Sequence, residues 1–131
     1  MYIPASLKPG DTIGFVCTAR KIDLGTIQTA IDFFENAGFK VLIGDSVGAE
    51  YFQYAGDDQL RRKDLQKMLD HPTVKAIIVC RGGYGTVRII DDIYYGNFLE
   101  QPKCIIGYSD ITVLHSHLNH VMGIGTLHAT M

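Results

Sequence analysis

The chain has 131 residues, 47% hydrophobic and 20% charged, with a formal net charge of −2. This is the composition of one globular domain, not a disordered segment, and such a length buries roughly two-thirds of its unfolded surface without disulfide support. The near-neutral balance gives no basic field and argues against nucleic acid as the main partner. No charged leader with an apolar core opens the sequence, and no apolar run is long enough to cross a bilayer, so the expectation is a soluble, cytoplasmic protein without a membrane partner.

Met1 to Asp11 is a polar, proline-containing segment with a turn at Pro9-Gly10. Thr12 to Cys17 reads as the first buried strand. Asp23 is placed to cap a helix whose apolar positions Ile27, Ala30, Ile31 and Phe34 follow the i, i+3, i+4, i+7 pattern, with Gly38 ending it. Phe39 to Ile43 is the second strand, apolar throughout apart from Lys40. Gly44 to Gly56 is irregular and carries Tyr51, Phe52 and Tyr54, an aromatic cluster that could line a cleft or pack over the sheet edge. Asp57 or Asp58 caps a second helix through Asp70, with Leu60, Leu65, Met68 and Leu69 as its core stripe, and Pro72 stops it.

Val74 to Cys80 is the third strand and runs directly into Arg81-Gly82-Gly83-Tyr84-Gly85. A short helix is expected over Tyr84 to Ile93, then a loop to Pro102. Cys104 to Ile106 is the fourth strand. A helix from about Ser109 to Met122 and a last strand, Gly123 to Leu127, follow. Nearly all-apolar strands alternating with helices predict an α/β domain: a layered, mostly parallel sheet with helices on both faces, flavodoxin-like or class I glutamine amidotransferase-like. The stop at Met131 without a tapering polar tail suggests a fragment.

Strand, sharp turn and helix meet at Gly107-Tyr108-Ser109-Asp110. A nucleophile elbow has this order: the serine is lifted above the carboxyl edge of a sheet and the following N–H is free to bind an oxyanion. The residue match is partial, since Ile111 stands where the second glycine of G-x-S-x-G would be. Ser-Asp before an apolar helix is also a common N-cap. The two alternatives differ at one dihedral: a cap has negative φ and bonds the N–H of Ile111 or Thr112, whereas an elbow is strained, with φ above zero.

Arg81-Gly82-Gly83-Tyr84-Gly85 together with Gly107-Tyr108-Ser109-Asp110-Ile111-Thr112 resembles the LD-carboxypeptidase family, the serine peptidases that include the microcin-immunity type. Further matches lie at Pro4-Ala5-Ser6-Leu7-Lys8-Pro9-Gly10-Asp11, at Ala55-Gly56, Arg61, Asp64 and Leu65, and at Pro102-Lys103, so the resemblance covers nearly the whole chain. It implies that Ser109 attacks the amide joining an L-centre to a terminal D-amino acid. The glutamate and histidine of the triad would come from a carboxyl-terminal domain that these residues do not contain. The implied function is release of a terminal D-alanine from cytoplasmic murein tetrapeptides during cell-wall recycling, by a homodimer needing no cofactor. The 131 residues alone would be inactive. A microcin-immunity type peptidase is the runner-up, and a ligand-binding α/β domain whose serine only caps a helix is the alternative outside enzymes.

Gly82 and Gly83 are candidate second oxyanion donors beside the Asp110 N–H, because glycine lets backbone approach a substrate oxygen without a Cβ in the way. A dinucleotide loop is disfavoured: the G-x-G-x-x-G spacing is absent and the glycines follow the third strand, not the first. Arg81 could pair a substrate carboxylate or an internal acid, and Tyr84 is a second candidate substrate contact. His115, His117 and His120 lack an acidic helical partner and are not read as metal ligands. At His128 the chain reads His-Ala-Thr where the family often has His-Gly-Pro. Cys17, Cys80 and Cys104 are an odd set without C-x-x-C spacing, and fit a reducing compartment. Cys17 and Cys80 end strands at the same edge as Ser109. A cysteine nucleophile is therefore the rival enzyme reading, against burial as small hydrophobes.

Overall fold

Strands that are apolar on both faces must be covered on both faces, and the helices between them do this. The computed structural model describes residues 1–130. It contains β1 (Thr12–Val16), α1 (Leu24–Asn36), β2 (Lys40–Ile43), α2 (Asp58–Asp70), β3 (Val74–Val79), α3 (Gly96–Glu100), β4 (Cys104–Gly107), α4 (Thr112–Ser116) and β5 (Leu127–His128). The five strands are parallel in the order β2-β1-β3-β4-β5. This is the flavodoxin-like doubly wound order, whose direction reverses between β1 and β3.

Right-handed crossovers dictate the layers. The one leftward step, β1 to β2, puts α1 on one face, where Ile27 and Ile31 pack with Ile13, Phe15, Ala76 and Ile78. The rightward steps put α2, α3 and α4 on the other, where Leu65, Met68, Phe98, Leu114 and Leu118 pack with Val16, Ile77, Val79 and Ile105. With only α1 on its face, β4 and β5 stay open there. Ile106 is half-buried, Leu127 is exposed, and a cleft of about 440 Å³ lies between them and Phe15, Ile27, Phe34 and Ile78.

Local signals account for most boundaries. Gly38, at φ 92°, closes α1 in a Schellman pattern, with Phe39 N–H bonded to Phe34 O at 3.0 Å and Gly38 N–H to Glu35 O at 3.0 Å. Asp57 caps α2 by accepting the Leu60 N–H at 2.8 Å. Asp23 occupies the cap position of α1 but makes no side-chain cap bond; its backbone carbonyl takes the Thr26 N–H instead.

Three expectations are corrected. The helix over Tyr84 to Ile93 is two 3₁₀ turns, Thr86–Arg88 and Ile90–Asp92, because Gly85 at φ 139° cannot continue a helix. The helix after Ser109 changes pitch twice: a 3₁₀ turn at Ser109–Ile111, then α4, then a π turn at His117–Val121. The last strand shrinks to two residues because Gly123 turns at φ 69° and Ile124 pairs with Tyr2 instead. Tyr2 is strapped there by its N–H to Gly123 O and by its carbonyl from Gly125 N–H, both 2.7 Å. Among the described residues no helix is long and apolar enough to cross a membrane.

Candidate functional site

The carboxyl ends of β1, β3 and β4 bring three loops together at the point where the strand order reverses, the place where open α/β sheets bind ligands. The β4 loop carries Ser109. Its φ is 62°, one of two positive values among non-glycine residues described. A helix cap has a negative φ at this position, so Ser109 is not in the cap conformation. The Ile111 N–H goes to Tyr108 O at 3.3 Å, and the Thr112 N–H to the carbonyls of Asp110 and Ser109, so neither takes the serine oxygen. Ser109 is exposed. A bulky-backbone conformation of this kind costs about 1–3 kcal/mol and persists only where the surroundings hold it.

The β3 loop stands opposite. A Cβ built on Gly82 would lie 3.0 Å from Ser109 Cβ, 3.2 Å from its Oγ and 3.3 Å from the Asp110 nitrogen. Gly82 backbone therefore faces both the hydroxyl and the following N–H. Gly83 has φ 105°, and the N–H groups of Gly82 and Gly83 find no backbone acceptor among the described residues. The Asp110 carboxylate reaches across to the Thr86 N–H at 3.0 Å, tying elbow to glycine loop.

The structure thus brings together Ser109, Asp110 and Gly82, with Gly83 one residue further along the same loop. Arg81 is not drawn into an ion pair among the described residues: it donates to the Lys21 carbonyl at 2.6 Å. Tyr84 and Tyr108 are 49% and 40% exposed on this edge.

The other candidates are accounted for by packing. His115 is buried, with Nε2 bonded to Gly107 O at 2.9 Å, directly beneath the elbow. Burial lowers its pKa, reinforced by nearby His128 and opposed by the Gly107 carbonyl. His117 instead lies against Tyr95, with ring centroids 5.2 Å apart. No cluster of three or more His, Cys, Asp or Glu could hold a metal among the described residues. Cys17 and Cys80 are both buried at the ends of β1 and β3. Hydrogen bonding to Cys17, then burial, raises the Cys80 pKa, the opposite of what a cysteine nucleophile needs.

Sequence reasoning gave no role to the residues that support these loops. Arg61 is fully buried. Its Nη1 donates to Thr18 O at 2.7 Å and Gly85 O at 3.0 Å, its Nε to Gly56 O at 3.2 Å, and its Nη2 to Asp58. Its guanidinium carbon lies 4.8 Å from the Tyr54 ring centroid. Asp64 accepts from the N–H groups of Asp45 and Ser46 and from the Ser46 hydroxyl. A signal existed: Arg61 and Asp64 lie on the helical stripe of Leu65 and Met68, where a charge must be buried and paired.

The described pattern of the LD-carboxypeptidase N-terminal domain matches residues 13–129. The chain belongs to the LD-carboxypeptidase family. It is 36% identical over 130 residues to a Bacillus subtilis protein described as a probable murein peptide carboxypeptidase, covering 99% of this chain and 41% of that one. The structure of an MccF-like protein from Bacillus anthracis superposes with a TM-score of 0.89 at 26% identity, over 99% of this chain and 40% of that one. The muramoyltetrapeptide carboxypeptidase of Oxalobacter formigenes superposes with a TM-score of 0.72 at 26% identity, over 82% and 36%. The LD-carboxypeptidase chain described here therefore spans about two-fifths of the length of such relatives.

Proposed function

We propose that this chain is the nucleophile domain of a serine L,D-carboxypeptidase that releases a terminal D-alanine from murein tetrapeptides in the cytoplasm, as part of peptidoglycan recycling. One observation carries the reading: Ser109, at φ 62°, faces Gly82 across the sheet edge without capping its own helix. In the reaction, Ser109 Oγ attacks the carbonyl carbon of the L–D amide while a base takes its proton. The N–H groups of Asp110 and of Gly82 or Gly83 hold the oxyanion. The C–N bond then breaks, D-alanine leaves with the proton returned to its amine, and water hydrolyses the acyl-serine. Arg81 and Tyr84 are proposed substrate contacts at the rim.

The base and its orienting acid are assigned to a carboxyl-terminal domain of the full-length protein, a homodimer in this reading. The 131 residues alone would then retain only the residual catalysis of an oxyanion hole, about 10³–10⁴ over water and too slow to detect against amide hydrolysis. A microcin-immunity type substrate is the second reading, supported by 26% identity over 129 residues to the Escherichia coli microcin C7 self-immunity protein. Full-length protein is incubated with an L,D-tetrapeptide, with Ser109→Ala as control. Release of D-alanine by the wild type only is expected; equal release by both would remove Ser109 from the mechanism.

A further inference from the structure

Two charged side chains from different elements grip one peptide unit. The Gly85 carbonyl accepts from Arg61 Nη1 at 3.0 Å, and the Thr86 N–H of the same peptide donates to Asp110 Oδ2 at 3.0 Å. A cation at the oxygen and a carboxylate at the N–H hold that peptide dipole from both ends, each bond charge-assisted and so stronger than a neutral one. The rest of the environment fixes the same unit. Thr86 is fully buried, its hydroxyl 2.7 Å from that of Thr18. Gly85 sits at φ 139°, where a Cβ would come 3.0 Å from Arg61 Nη1 and 3.3 Å from Ala19 Cα. Arg61 also holds the Thr18 carbonyl, so one guanidinium sets the β1 loop and the β3 loop together.

We infer that Arg61 is a positioning residue: through the Gly85–Thr86 peptide it fixes the Asp110 carboxylate, and so the orientation of the Asp110 N–H and Ser109 at the elbow. Arg61 is tied into its own helix by Asp58, but its other three partners are loop carbonyls. Two of those carbonyls, Thr18 and Gly85, belong to the β1 and β3 loops, and the β3 loop faces the serine. The inference rests on the reading of Ser109 as nucleophile for its catalytic consequence, but the clamp itself does not.

The test uses Arg61→Gln, Asp110→Ala and their double variant in the full-length protein, with Asp110→Asn as the conservative variant. Each single change should lower kcat by about 10²-fold, the cost of a misplacement near 1 Å, and leave KM nearly unchanged. Because both act on one peptide, the double variant should be no worse than the worse single, and Asp110→Asn, which keeps an acceptor oxygen, should restore most of the rate. In the 131-residue chain, the Thr86 amide proton resonance should move upfield in Arg61→Gln and Asp110→Ala, and move less in Asp110→Asn, whose neutral oxygen still accepts the bond. Wild-type kcat in a folded Arg61→Gln protein, additive losses, or an unmoved Thr86 amide would each overturn the inference. If Arg61→Gln does not fold, Asp110→Ala decides alone, and an unchanged kcat there is equally fatal. A wild-type protein that releases no D-alanine removes the L,D-carboxypeptidase reading and leaves the Thr86 resonance to judge the clamp.

Discussion

Gly82→Ala separates catalysis from stability at the candidate site. The new methyl would sit 3.0 Å from Ser109 Cβ, 3.2 Å from Oγ and 3.3 Å from the Asp110 nitrogen, where ordinary contacts begin at 3.4 Å. The loop and the elbow must therefore part by a few tenths of an ångström. Gly82 is not among the positive-φ glycines, so alanine meets no backbone strain; the stiffer unfolded chain offsets part of the crowding by about 0.4–1 kcal/mol. Stability of the 131-residue chain should hence change by less than about 1 kcal/mol, roughly 4 °C in Tm. Activity is more exposed, since the methyl stands between Ser109 and an oxyanion donor. Losing one donor costs about 10²–10³, and a partial displacement should cost about 10–10² in kcat. Thermal unfolding and D-alanine release by the full-length protein measure the two effects. Wild-type kcat in Gly82→Ala would show that no oxyanion forms in this gap.

Ser109→Gly should relieve the left-handed strain and stabilise the chain by about 1 kcal/mol, read by chemical denaturation, while abolishing D-alanine release; a loss of stability would mean that the serine side chain contributes more than its backbone costs. Asp64→Ala should destabilise by about 3 kcal/mol, because the Asp45 and Ser46 N–H groups and the Ser46 hydroxyl lose their acceptor, and urea unfolding checks it. Stability should also depend on pH through His115, whose folded pKa is lowered. Above the unfolded value of about 6.5 both states are neutral; as pH falls through the folded pKa the unfolded state binds the proton first, so stability is lost. His115→Gln, which can still donate to the Gly107 carbonyl but does not titrate, should flatten the decline below about pH 6.5, and an unchanged slope would assign the loss to other groups.

The sheet was legible because its information is local: four apolar runs, each bounded by Gly, Pro or Asp, appear as strands within a residue or so of their expected limits. The elbow was legible as a pair of alternatives, and one dihedral separates them. What escaped depends on residues distant in sequence. Nothing near Arg61 announces that its partners are the carbonyls of Thr18 and Gly85. The expected strand from Gly123 failed because Tyr2, at the other end of the chain, takes the backbone groups that would have paired there. Charge alone offered Arg81 an internal acid as a partner, yet its Nη1 goes to the Lys21 carbonyl. Periodicity reports which face a residue buries, not which loop folds back over it.

The strap at Tyr2 bears on how such a chain is made. During synthesis Tyr2 emerges before its partners Gly123 and Gly125, by on the order of ten seconds at ordinary translation speed. β1 likewise waits for β3 before its second edge is paired. The nascent chain must therefore carry an unclosed, apolar edge on β1 until β3 is made. The early segment has no finished structure to retreat into, and the domain closes only when Tyr2 meets the much later Gly123 and Gly125.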